Sequence, residues 1–136
     1  MPQTISPGFL KLLREPAICQ LATLMPDGSP QITQVWVETD GEHIFINTIE
    51  GTQKEKNVHR DPPRVALNVV DPTNAWRIAM VRGRVVEVTT EGAVGQIDRL
   101  AKKYLNEETY PFHRLDRVRT TIKIAPEKIN EIGLEE

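Results

Sequence analysis

Apolar and polar residues alternate along most of the chain with the two-residue period of β-strands, and turn signals separate the runs. Tight turns join the first three runs and so make them antiparallel neighbours, because parallel strands need a long crossover. The predicted strands are residues 17–25, 31–39, 44–47, 65–70, 76–88 and 118–124, with a possible short edge segment at 129–132 after Pro126 ends the last strand. The pattern favours an antiparallel barrel. The nearly unbroken apolar run at 65–70 is typical of a strand buried on both faces.

Three helices are predicted around these strands. Ser6 can cap the first helix, and Pro7 suits its first position because that N–H has no helical partner in any case. The last helix spans about residues 91–105, with Thr90 as the predicted cap and its apolar residues on one face. We expect these helices to close the ends of the barrel.

The middle helix, residues 52–60, begins with a candidate anion site. Thr52 and Glu55 have the spacing of a capping box. Free backbone N–H groups at the helix start, together with the hydroxyl of Thr52 and the ammonium of Lys54, form a suitable phosphate cradle. A capped surface helix whose lysines are merely solvated explains the same pattern. Both interpretations stay open at this point.

Length and composition limit the classes of protein. The 136 residues predict one domain, residues 1–136, and a formal charge of −2 gives no broad electrostatic attraction to nucleic acid or anionic membrane. The first 13 residues lack the pattern of a signal peptide, and no run approaches the roughly 20 apolar residues that span a bilayer. We therefore expect a cytoplasmic protein with neither a nucleic-acid nor a membrane partner.

The usual catalytic signatures are missing from the sequence. The three histidines, His43, His59 and His113, are far apart and lack the spacing of metal ligands, so no metal site is predicted. The single cysteine, Cys19, lies inside an apolar strand and is expected to be an inert core residue. The sequence also lacks a nucleophile elbow, a P-loop and a dinucleotide fingerprint. These patterns alone therefore single out no catalytic side chain.

The long strand at 76–88 carries the next candidate residues. Trp76 is predicted to be a core residue rather than a cofactor wall. Arg82 and Arg84 share one face and are expected to meet solvent, while Gly83 between them indicates a bulge or a close backbone approach.

The order of short motifs resembles the split β-barrel flavin and deazaflavin oxidoreductases related to pyridoxamine 5′-phosphate oxidase. The resemblance covers about residues 16–130 and rests on the order and spacing of the motifs together. The motifs are Pro-Asp-Gly-Ser-Pro-Gln (26–31), Ile-Phe-Ile-Asn-Thr (44–48), Gly-Thr-Gln-Lys (51–54), Asn-Val-His-Arg-Asp-Pro (57–62), Trp-Arg (76–77), Val-Arg-Gly-Arg-Val (81–85), Leu-Ala-Lys-Lys-Tyr (100–104) and Tyr-Pro (110–111).

The resemblance implies a mainly β (α+β) fold of the FMN-binding split barrel type, a six-stranded antiparallel split β-barrel with about three helices. It also implies a homodimer with the cofactor in a cleft between the two subunits. Carried over by position, the cofactor-binding residues are Gln31, Thr33, Gln34, Val35, Trp36, Ile46, Asn47, Thr52, Gln53, Lys54 and Arg77.

Two departures from the oxidase branch bear on the cofactor. That branch has an arginine where this chain has Gln31 and a lysine where it has Trp36, and both help to bind flavin mononucleotide (FMN). The region of Tyr104 and Tyr110 instead resembles the branch that binds coenzyme F420, an 8-hydroxy-5-deazaflavin with a phosphate-bearing tail. The resemblance thus implies an F420-dependent oxidoreductase that transfers a hydride between reduced F420 and a small conjugated organic acceptor. An FMN-binding oxidase-like flavoprotein and a non-catalytic F420-binding protein are the alternatives, followed by a barrel whose basic helix contacts a protein partner.

Overall fold

The structure is a computed structural model that describes residues 3–134, and these residues form three helices and seven strands. The helices are α1 (Pro7–Arg14), α2 (Gln53–Val58) and α3 (Ala93–Leu105). The strands are β1 (Ile18–Leu24), β2 (Pro30–Val35), β3 (Val37–Thr39), β4 (Ile44–Ile49), β5 (Arg64–Asp71), β6 (Asn74–Thr89) and β7 (Arg119–Ile132).

All seven strands belong to one antiparallel sheet in the order β2-β1-β5-β6-β7-β4-β3. Its two edge strands, β2 and β3, are separated in the chain by Trp36 alone. The sheet must therefore curl until its edges approach each other at Trp36, which makes it a curled half-barrel. The mainly β, antiparallel fold with three helices is confirmed. The predicted number of six strands is wrong, because the run 31–39 breaks at Trp36 to serve both edges.

Two predictions about β6 and β7 have opposite outcomes. A Cβ on Gly83 would lie 2.5 Å from the carbonyl oxygen of Ala125, and the β6–β7 register shifts next to Gly83, so both the bulge and the close approach are confirmed. Pro126 does not end the last strand, since β7 runs through it to Ile132. Pro126 lies opposite Gly83 beside this register shift, which is a position where a strand tolerates a missing N–H.

The helix starts follow local capping chemistry in two cases of three. Ser6 accepts a hydrogen bond from the Phe9 N–H at 3.1 Å ahead of Pro7, as predicted. The Thr52 hydroxyl likewise accepts from the Glu55 N–H at the start of α2. The prediction of Thr90 as the α3 cap is wrong, because α3 begins after Gly92, whose φ of 76° makes a left-handed turn without a side-chain cap.

The core lies inside the curled sheet and is closed at one end by α1, whose buried side chains include Phe9 and Leu12. Cys19 is a fully buried member of this core, and burial raises the pKa of its thiol to about 12, which fits the predicted inert role.

The outer face of the sheet departs from two predictions. In β5 the residues that point inward are buried and those that point outward are only half-buried, so a single chain buries one face of the run 65–70. Trp76, predicted as core, is 75% exposed at the start of β6. Ile32 on β2 is 68% exposed. The outer face therefore keeps large apolar side chains in solvent.

Within residues 3–134, no helix is both long enough and apolar enough to cross a membrane.

Candidate functional site

A cavity of about 220 Å³ opens beside Trp36, between the meeting edges of the sheet and the face of α3. Five of the predicted cofactor-binding residues line it. The lining residues are Gln34, Val35, Trp36, Asn47, Lys54, Ile97, Leu100, Tyr110 and Arg119. The cavity is thus built from β2, β4, α2, α3 and β7, together with the loop between α3 and β7.

Lys54 brings a partly buried cation to this cavity. It is the second residue of α2, so the helix start sets where its side chain leaves the backbone. Its ammonium group has no hydrogen-bond or carboxylate partner within residues 3–134, and burial lowers the pKa of the lysine. An anion in the cavity would relieve this cost by restoring a partner to the charge.

Arg119, the first residue of β7, brings the second cation. Its guanidinium lies over the ring of Tyr110 at 4.7 Å from the centroid and donates to the Asn47 Oδ1 at 3.3 Å. In the part of the chain that the structure describes, no carboxylate lies within salt-bridge distance of it. Two cations therefore share one small cavity without an internal anion, which is an arrangement suited to phosphate or carboxylate groups.

A buried amide network fixes the side chain that Arg119 contacts. The amide nitrogen of Asn47 donates to the Ala93 carbonyl at 2.9 Å and to Gln96 Oε1 at 2.8 Å. Gln96 is itself held by the hydroxyl of Thr121 at 2.8 Å. Because these bonds use the amide nitrogen of Asn47, its oxygen is left to face Arg119.

Aromatic rings form one wall of the cavity. Trp36 is stacked on Tyr104, with ring centroids 5.2 Å apart and planes at 6°, and meets Tyr110 edge to face at 6.0 Å. Tyr110 is held in place by Asp98, which accepts from its backbone N–H at 2.8 Å and also pairs with His113. The ring of Trp36 gives the cavity a flat surface that suits a planar ring.

Two predicted phosphate ligands have other partners. The Thr52 hydroxyl caps α2 and also donates to the Ile49 carbonyl at 2.8 Å. The Gln53 amide donates to Asn57 Oδ1 at 2.8 Å. Of the three residues 52–54, only Lys54 lines the cavity.

Three further predicted residues do not line the cavity. The side chain of Ile46 is fully buried in the core. Gln31 Oε1 faces Asn57 and Thr23 at 3.4 Å. The hydroxyl of Thr33 is buried and has no hydrogen-bond partner among residues 3–134.

Arg77 is not brought to this cavity by the fold of one chain. Its guanidinium pairs with Asp71 at 2.5 Å and with Glu15 at 3.2 Å, at the turn between β5 and β6. These hydrogen bonds raise the pKa of the arginine and use its charge within the chain. Its predicted contact with a cofactor stays a prediction.

Four lining residues were missed by sequence reasoning. Ile97 and Leu100 looked like ordinary members of the apolar face of α3. Tyr110 belonged to a quoted family motif but was given no role. Arg119 reaches the cavity because β7 pairs with β4, which places it opposite Ile49. No local pattern in the sequence predicts that β7 pairs with β4. The only available signal was that Arg119 begins a strand, since binding residues often lie at strand ends.

The three histidines each contact one carboxylate: His43 contacts Asp40, His59 contacts Glu55 and His113 contacts Asp98. Among the described residues, no group of three or more His, Cys, Asp or Glu side chains is placed to hold a metal ion.

Comparison with known proteins places these features in a family. A family model described as pyridoxamine 5′-phosphate oxidase matches residues 5–133. An F420 reductase of known structure is 28% identical, with a TM-score of 0.81 over 93% of this chain and 98% of that one.

Two more distant structures share the fold. A conserved hypothetical protein from Mycobacterium tuberculosis is 22% identical, with a TM-score of 0.73 over 96% of this chain and 86% of that one. The heme storage protein HutZ from Vibrio cholerae is 16% identical, with a TM-score of 0.64 over 97% of each chain. The search of curated proteins found no match. Because the family model spans nearly the whole chain, the protein belongs to the pyridoxamine 5′-phosphate oxidase family.

Proposed function

We propose that the protein binds coenzyme F420 at the Trp36–Lys54–Arg119 cavity and transfers a hydride between the reduced cofactor and a small conjugated organic acceptor. The observation that carries the proposal is that Lys54 and Arg119 line one cavity, with no carboxylate within salt-bridge distance of either among residues 3–134. The likeness to an F420 reductase at 28% identity supports the choice of cofactor.

The residues present fit a phosphate-bearing ring cofactor. Lys54 and Arg119 would hold the anionic tail, and Trp36 offers a flat face to the ring. When bound, the reduced deazaflavin supplies the hydride from its own ring carbon. The residues of this chain bind the tail, orient the ring and exclude water, and no side chain needs to act as a nucleophile or as an acid–base pair.

The choice of F420 over FMN rests on missing charges. Gln31 and Trp36 stand where the oxidase branch carries an arginine and a lysine, and Gln31 is already directed at Asn57 and Thr23. The loss of a charge-assisted phosphate contact costs about 1.5–3 kcal/mol. We therefore expect FMN to bind at least about tenfold more weakly than F420.

We also propose that the protein is a homodimer with the cofactor cavity at the subunit interface. Trp76 and Ile32 are 75% and 68% exposed on the outer face of the sheet, and an apolar groove of about 500 Å³ lies on that face. A chain of this size buries only about two thirds of its surface alone, so an added interface would stabilise it. Sedimentation at micromolar concentration tests this. A species of only 15.4 kDa with cofactor bound would contradict the dimer.

Equilibrium titration with F420 and, separately, with FMN tests the proposed cofactor. Binding of F420 is followed by its fluorescence, and reduced F420 is then offered with quinone and nitro acceptors. Sub-micromolar binding of FMN without detectable binding of F420 would overturn the assignment. Binding of F420 without turnover of any acceptor would support the non-catalytic alternative.

A further inference from the structure

The last turn of α3 is tied to the place where the two edges of the sheet meet. The hydroxyl of Tyr104 accepts from the Val37 N–H at 3.3 Å and donates to the Ala17 carbonyl at 2.7 Å. The ammonium of Lys103 donates to the Val37 carbonyl at 2.6 Å and to the Leu13 carbonyl at 2.5 Å. Both backbone polar groups of Val37 are therefore held by two adjacent side chains of α3.

These bonds fall next to the residue that forms the cavity wall. Trp36 precedes Val37 directly, and the ring of Tyr104 is stacked on it at 6° between the planes. Tyr104 thus restrains Trp36 in two ways, through the face of its ring and through its hydroxyl on the following residue. Lys103 restrains the backbone of Val37 through the carbonyl oxygen of that residue.

We propose that Lys103 and Tyr104 are positioning residues that fix Trp36 as the flat wall of the cavity, and that the charge on Lys103 sets how firmly they do so. Neither residue lines the cavity, so neither is expected to touch a ligand. The consequence for ring binding rests on the proposed function, whereas the effect on Trp36 itself does not.

The surroundings of Lys103 make its charge sensitive to pH. Burial lowers its pKa to about 8, against the opposing effects of Glu38 on β3 and Cys19 on β1. Glu38 also pairs with Arg99 of α3, and α1 contributes the Leu13 carbonyl. Burial raises the pKa of Cys19 to about 12 and also raises that of Tyr104, so neither group loses its proton near pH 8. Loss of the Lys103 charge weakens its two bonds to carbonyl oxygens.

The fluorescence of Trp36 in the ligand-free protein tests the proposal. Trp76→Phe leaves Trp36 as the only tryptophan of the two in the chain. In this background Tyr104→Phe and Lys103→Met should each raise the acrylamide quenching constant of Trp36 about twofold or more, because they release a stacked ring from its hydrogen-bonded support. In the Trp76→Phe protein itself, quenching of Trp36 fluorescence should increase as the pH rises through about 8. Adding Lys103→Met should abolish this pH dependence.

Three control variants separate positioning from general loss of stability. Lys102→Met removes an exposed lysine of α3 that pairs only with Glu108, and it should leave Trp36 unchanged. Val69→Ala should destabilise the core from β5, which β1 separates from β2 and Trp36, and it too should leave quenching unchanged at temperatures well below unfolding. Lys54→Met removes the cavity cation whose own pKa is lowered, and the titration near pH 8 should survive it.

The outcomes are decisive in both directions. Unchanged quenching and an unchanged titration in Lys103→Met, or an equal rise in Val69→Ala, would overturn the proposal. If Tyr104→Phe does not fold, the proposal is still tested by the pH dependence of Trp36 quenching in the Trp76→Phe protein and by the effect of Lys103→Met on it. With F420 as the probe, Lys103→Met should weaken binding about three- to tenfold at neutral pH. Failure of both F420 and FMN to bind would refute the proposed function and leave the fluorescence result standing.

Discussion

The cavity at Lys54 and the turn at Arg77 each carry a cation that the sequence marks as a cofactor contact, but only the turn supplies carboxylates to match it. Arg77 pairs with Asp71 and Glu15 at the end of β5 and α1. Lys54 lines the same cavity as Arg119 and has no carboxylate partner among residues 3–134. Burial consequently lowers the pKa of Lys54, while hydrogen bonds to Asp71 and Glu15 raise that of Arg77.

The difference shows how a cation that stabilises the fold is distinguished from one that is free to bind a ligand. A charge that is paired within its own chain contributes modestly to the stability of the fold, and it attracts an external anion only weakly because its partner already neutralises it. A partly buried charge without a partner costs stability and regains it when an anion arrives. Substitutions in the two regions test this contrast.

Lys54→Ala is expected to have the largest effect. Binding of F420 should weaken about tenfold or more, with a smaller loss at high salt, because a charge-assisted contact to the anionic tail is removed. The unliganded protein should melt at the same temperature or slightly higher, since a desolvated charge is lost. Isothermal titration and thermal melting measure the two effects.

Lys56→Ala, which changes an exposed lysine on the same helix, is the matched control and should bind F420 like the parent. Equal binding by Lys54→Ala would place the anion site elsewhere.

Arg119→Leu should weaken binding about three- to tenfold, because it removes the second cation together with its contact to the ring of Tyr110. The exposed Arg117→Leu variant keeps the same change in net charge and should retain the parent affinity. A loss shared by both variants would mean that the net charge of the protein, rather than the cavity, attracts the ligand.

Arg77→Met should act mainly on stability. We expect the free energy of unfolding to fall by about 1 kcal/mol, since a cation shared by two carboxylates is lost at a partly exposed site. The affinity for F420 should change less than about twofold. Urea unfolding and the same titration measure both quantities. A tenfold loss of affinity would instead show that Arg77 contacts the cofactor, as the family resemblance implies.

The smallest effect is expected from the acid titration of Asp71. The Thr73 backbone N–H, the Thr73 hydroxyl and Arg77 hold the pKa of this carboxyl below its usual range. Its folded pKa is lower than its unfolded pKa, so its contribution to stability is present above about pH 4 and is lost as pH falls through the folded value. Asp71→Asn should therefore flatten the acid limb of the melting temperature against pH. The exposed Asp116→Asn should not, and an identical slope in both would refute the role of Asp71.

Local chemistry in the sequence determined much of the fold. The Ser6–Pro7 start of α1 and the Thr52 cap of α2 depend on atoms within four residues, so the chain alone specifies them. The two-residue alternation of apolar side chains likewise specifies strands and their buried face. Gly83 revealed its bulge because only a residue without a Cβ fits there. Five of the eleven cofactor residues that the family resemblance implies line the cavity.

Tertiary structure alone decided the remaining features. The break at Trp36 exists because a curled sheet needs one segment to serve both of its edges, which no local pattern encodes. Pairing of β4 with β7 placed Arg119 on the cavity that Lys54 also lines, and the turn after β5 brought Asp71 to Arg77. A residue's type fixes the sign of its charge, but the free energy of that charge depends on what surrounds it in space. The sequence therefore predicted Lys54 and Arg77 alike as cofactor contacts. Only the fold showed that Arg77 is paired with carboxylates of its own chain, whereas Lys54 has no such partner among residues 3–134.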